Sequence, residues 1–88
     1  MRILSEYEIN RIFKGKNFFT QSVTERRQLG EVVYELSTGP GIFGTGVYGV
    51  SVRDLDGNHI PVESKLFYNE QESREYIRSL QVLHLLES

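Results

Sequence analysis

The sequence predicts an α+β fold: an N-terminal helix, a three- to four-stranded antiparallel meander sheet, and a C-terminal helix packed on one face. Three observations predict it. Leu4-Ser5-x-x-Glu8-Ile9 is a helix-start signature. The middle of the chain is rich in β-branched and aromatic residues, punctuated by glycine, proline and aspartate turn signals. From Asn69 onward the apolar residues return at helical spacing. A chain of 88 residues has room for one core, so residues 1–88 read as a single domain.

Taken in order, Ser5 is placed to accept from the Glu8 N–H while Glu8 reaches back, and Leu4 to pack on Ile9. Ile9, Ile12 and Phe13 share one face and Gly15 is a natural left-handed stop, which gives a helix over residues 6–14. Residues 16–25 suit a strand by composition, with a rival in Ser22-x-x-Glu25 as the cap of a short helix ending at Gly30. Residues 31–38 read as a strand with Val32, Tyr34 and Leu36 on one face. Residues 47–54 and 59–68 follow as strands, joined by a hairpin whose Asp56-Gly57 pair supplies positive φ. Gly49 inside its strand predicts a bulge or a close backbone approach, and Pro61 belongs at a strand start or edge.

Asn69 caps the last helix, which places Tyr76, Ile77, Leu80, Leu83 and His84 on one face. Val82, Leu85 and Leu86 then point away from that stripe, and a turn that is apolar all round needs cover on both sides. Two arrangements supply it. Either the helix ends near Leu80 and the tail runs extended along the sheet edge, or the patch meets its own copy in a two-fold homodimer.

Composition narrows the chemistry. Net charge is −2 and the pI near 5.6, which gives no general attraction for nucleic acid. The absence of cysteine removes disulfides, thiolate zinc sites and cysteine nucleophiles. No apolar run approaches the ~18–20 residues of a membrane span and no signal-peptide pattern stands at the start, so the expected compartment is the cytoplasm, without membrane contact. "DLDGNH" suggests a calcium loop, but counting from Asp54 the glycine comes two places early and the twelfth position is Lys65. Ser51, His59 and Asp54 or Asp56 crowd one hairpin with no evident oxyanion hole, and His59 and His84 are too far apart in sequence for a zinc site. No enzyme activity, metal or cofactor is expected.

The segment "GPGIFGTGVYG" holds the pattern G-x-G-x-x-G twice. A strand-like run follows where a phosphate loop needs a helix, and no Gly-Lys-Ser/Thr occurs, so Rossmann and P-loop sites are excluded. Within it, "GTGVYGVSV" resembles the protein-kinase glycine loop, with Gly44, Gly46, Tyr48 and Gly49 in register and Ser51 at that family's valine position. The resemblance implies nucleotide contact over nine residues, but the family's His-Arg-Asp and Asp-Phe-Gly motifs have no counterpart here. The glycines therefore read as a wide hairpin loop over residues 39–46, whose apolar tip, Ile42 and Phe43, meets a partner or folds back on the core.

These observations together predict a non-enzymatic protein-interaction module, a regulator or inhibitor in the style of phage and mobile-element accessory proteins. Its contact residues are Ile42, Phe43, Tyr48, Val82, Leu85 and Leu86. The alternative is nucleic-acid binding. Three strands followed by a helix resemble in outline the integrase arm-binding domains, and that resemblance implies DNA contact by the exposed sheet face. Ser51, Arg53, Glu63 and Lys65 would face outward there, with Arg26 and Arg27 at a neighbouring turn. The acidic balance sets nucleic acid below a protein partner.

Overall fold

Residues 2–14, 22–40 and 46–86 are described by the computed structural model. Helix α1 (Glu6–Phe13) starts as its signature requires: the Glu8 N–H donates to Ser5 Oγ at 3.2 Å and the Ser5 N–H to Glu8 Oε1 at 3.1 Å. Leu4, Ile9 and Phe13 are buried in one cluster with Val33. The chain turns extended at Lys14, which ends the helix at Phe13.

Four strands form one antiparallel sheet in sequence order: β1 (Ser22–Leu29), β2 (Val32–Pro40), β3 (Gly46–Asp54) and β4 (Lys65–Phe67). The capped-helix rival at Ser22-x-x-Glu25 is overturned, because Ser22 and Glu25 lie in a strand paired to Thr38 and Leu36. That strand runs on past the expected Glu25 to Leu29; residues 15–21 lie outside the described residues. Gly30, at φ 60, and Glu31 close a two-residue hairpin between Leu29 and Val32. The expected irregularity at Gly49 falls elsewhere. Gly49 pairs regularly with Ser37 and Leu66, and the register shifts between Val23 and Glu25 instead.

The strand expected over residues 59–68 is broken. His59 makes one isolated bridge to Arg53, a 3-10 turn follows at Pro61–Glu63, and only Lys65–Phe67 pair as β4. Proline lacks the ladder donor, and in place of a ladder carbonyl the Ser64 Oγ accepts from the buried Val52 N–H at 3.0 Å while donating to Ile60 O at 2.9 Å. The Asp-Gly turn stands as expected, with Gly57 at φ 92 and Asp54 Oδ1 accepting from the Asp56 and Asn58 N–H groups at 2.9 Å.

Helix α2 (Glu70–Gln81) is capped by Asn69 and packs on one face of the sheet, as predicted. Ile77 and Leu80 cover Leu29, Val32, Tyr34, Leu36, Val50 and Val52. Each such side chain contributes ~1.5–3 kcal/mol when fully buried. Ser73, fully buried in α2, donates to Glu70 O at 2.6 Å, so its hydroxyl is satisfied within the helix. Helix α1 takes the opposite face, over Val33, so central strand β2 is buried on both sides from Val32 to Ser37.

Candidate interaction surfaces

The α-helix ends at Gln81, near Leu80 as the first arrangement expects, but the tail beyond it does not run extended. Helix α2 passes into a π-helical turn over Val82–Leu86. A wider turn rotates each residue less, so the side-chain phase slips from the helical stripe. Leu83, expected on the core face, is therefore 49% exposed, while Val82 is 49% and Leu85 45% exposed. Side-chain placement of Leu86 lies outside the described residues.

This turn is anchored rather than loose. A Cβ built on Gly30 would stand 2.4 Å from the His84 carbonyl oxygen, so only glycine lets the β1–β2 hairpin and the turn approach this closely. His84 Nε2 bonds Glu63 Oε1 in the 3-10 turn, and Tyr76 donates its hydroxyl to Glu63 O at 2.6 Å. Phe67 packs on Tyr76 at 5.4 Å, and the Lys65 ammonium sits 5.1 Å from the Tyr76 ring centre. Burial and the Glu63 charge push the Tyr76 hydroxyl pKa up, which keeps it a donor. Three half-exposed apolar side chains thus stand on a turn held by these contacts.

The other predicted contact residues fare differently. Ile42 and Phe43 lie outside the described residues. Tyr48 lies in β3, as the strand expected over residues 47–54 places it, and is partly buried against the α2-side core, so it is not a freely exposed contact residue. Arg53 does not face outward: it is 6% exposed, donates to Gly57 O at 2.9 Å and stacks 5.8 Å from the Phe13 ring centre under α1. Its Nε has no hydrogen-bond partner. Lys65 lies on the α2 side and Ser51 on the α1 side, so the outward residues of the DNA-reading alternative do not share a face. Glu63 is in the 3-10 turn and not on a strand.

Arg26 and Arg27 point to opposite faces of β1. Arg26 bonds Glu35 Oε2 at 2.7 Å and Asn10 Oδ1 at 3.2 Å, tying the strand to α1. Glu35 is buried and needs that partner. On the α2 side Glu25 accepts from the Tyr34 hydroxyl at 2.8 Å and from Arg74 Nη1 at 2.9 Å, with Arg27 Nε at 3.8 Å. Burial works to raise the Glu25 pKa, but the Tyr34 and Arg74 bonds and both guanidinium charges outweigh it and hold the carboxyl below the usual glutamate range. Tyr34 is pushed far up by burial and by Glu25, so its hydroxyl stays protonated.

Two open clefts flank this strand. One is lined by Tyr7, Asn10, Arg11, Lys14 and Arg26, the other by Glu25, Arg27, Tyr34, Arg74, Ile77, Arg78 and Gln81. Sequence reasoning found two of these cations; the rest come from both helices and need the sheet order to be seen. The described residues hold no group of three side chains placed to bind a metal ion, and no helix among them is long and apolar enough to cross a membrane. No protein-family model, curated protein or solved structure matches this chain.

Proposed function

We propose that the chain is a non-enzymatic interaction module whose primary contact is the C-terminal turn, meeting a second copy of itself across a two-fold axis. The carrying observation is the turn's construction. Val82, Leu83 and Leu85 are each about half exposed on a segment fixed by Gly30, Glu63 and the end of α2. A fixed apolar patch loses little conformational freedom on association, which lowers the cost of binding.

The contact is weak by its area. Three half-covered side chains contribute about 2–4 kcal/mol before association costs, which supports a dimer only at high concentration. Sedimentation at high micromolar concentration tests it. The wild type is expected to show a dimer, and Val82→Asp with Leu85→Asp a monomer with an unchanged circular dichroism spectrum. A wild type that stays monomeric there rejects the homodimer and leaves the patch for a different protein.

A further inference from the structure

We infer that the β1 edge is a second interface, built to receive an acidic extended segment of a protein partner as an added strand. In an antiparallel ladder alternate residues turn their N–H and C=O groups away from the neighbouring strand. Strand β1 ends the sheet, so that half of its backbone groups faces outward with no further strand among the described residues. Such an edge is a template for another strand unless something discourages it.

Charge decides which strand. The cleft on the α1 face carries Arg11, Lys14 and Arg26; the cleft on the α2 face carries Arg27, Arg74 and Arg78 around the single carboxylate of Glu25. Arg11, Lys14 and Arg78 make no ion pair among the described residues, and the Arg27 side chain is 67% exposed. Six cations against two acids, Glu25 and the Arg26-bound Glu35, leave a positive excess that repels a second copy of this edge, which is the usual protection against self-association. They attract a chain of opposite sign.

The placement of the cations on both faces selects an extended acidic peptide over a nucleic acid. Successive side chains of an added strand alternate between faces, so neighbouring carboxylates would enter the two clefts in turn. A phosphate backbone follows one track and would meet one cleft. Strand addition joins main-chain hydrogen bonds for affinity to side-chain clefts for specificity. This interface is independent of the C-terminal turn and stands whether or not the chain dimerises.

The test uses a short fluorescein-labelled peptide in which pairs of glutamates alternate with single valines, titrated against the full chain at low salt. Binding is expected, with hydrogen-exchange protection gained at alternate β1 amides. Arg27→Glu with Arg78→Glu, both exposed positions, should weaken it at least about tenfold while the fold is retained. The same peptide N-methylated at alternate residues cannot complete the ladder and should bind at least about tenfold more weakly. Equal binding of the methylated peptide overturns strand addition. Tighter binding of oligo(dT), displacing the peptide, overturns the choice of a protein partner, and no binding of the acidic peptide overturns the proposal outright.

Discussion

Two glycines with positive φ separate strain from crowding. Gly57, at φ 92, has only the Ile12 Cγ2 methyl near its absent Cβ, at 3.9 Å, so Gly57→Ala should cost about 1–2 kcal/mol from the left-handed backbone alone. At Gly30, at φ 60, an added Cβ would also run into the His84 carbonyl oxygen, a backbone atom that no rotamer change can move away. Gly30→Ala should cost more, about 2–4 kcal/mol, and expel the C-terminal turn. Urea midpoints of the two variants order them, and equal losses would show that the turn yields freely. Glu25 gives the pH prediction at the same scale. Its pKa is lowered in the fold, so it stabilises above the ordinary glutamate pKa and the stabilisation is lost as pH falls through the folded pKa. Arg74→Ala should therefore lower the urea midpoint at neutral pH, and the difference from wild type should shrink on acidification as Glu25 is protonated. A difference constant with pH would assign the loss to Arg74 packing instead.

At the scale of elements, what the sequence made legible is what local chemistry decides. Ser5 and Glu8 start α1, Asn69 starts α2 and Asp54 to Asn58 turn the hairpin, because each needs donors and acceptors only a few residues away. Strand β1 was read less well. Ser22-x-x-Glu25 satisfies a helix cap locally, and the strand wins only because Glu25 finds Tyr34 and Arg74 and β1 pairs along β2. The long fourth strand failed for the same kind of reason. Its pattern was intact, but Pro61 has no N–H for a ladder, and the Val52 N–H takes as its acceptor the Ser64 hydroxyl, a side chain twelve positions away. Ser64→Ala would leave the buried Val52 N–H without its acceptor, a loss of about 1–3 kcal/mol. Thermal unfolding of that variant measures it, and an unchanged melting temperature would mean that a carbonyl replaces the hydroxyl.

At the scale of the molecule, a net charge of −2 concealed a strong asymmetry. Residues 1–30 hold six Lys and Arg against three Glu, while residues 31–88 hold four against nine Asp and Glu. The fold then gathers Arg11, Lys14, Arg26 and Arg27 from the basic part with Arg74 and Arg78 from α2 around one sheet edge. Arg26 and Arg27 could be singled out in sequence, but their opposite directions and their companions follow from β1 being the outermost strand. The two proposed contacts differ in physics, which makes them separable in one protein. Association through Val82, Leu83 and Leu85 is apolar and should persist, or strengthen, in molar salt. Docking at the β1 edge depends on exposed cations, whose reach falls to about 3 Å in molar salt. Raising salt should therefore release the acidic peptide while the sedimenting dimer remains. Val82→Asp with Leu85→Asp should abolish the dimer and leave peptide affinity within about twofold, because sites without shared partners act additively. Arg27→Glu with Arg78→Glu should do the reverse. Loss of both contacts in either variant would show that the end of α2, which carries Arg78 into the cleft and leads on to Val82, couples the two surfaces into one.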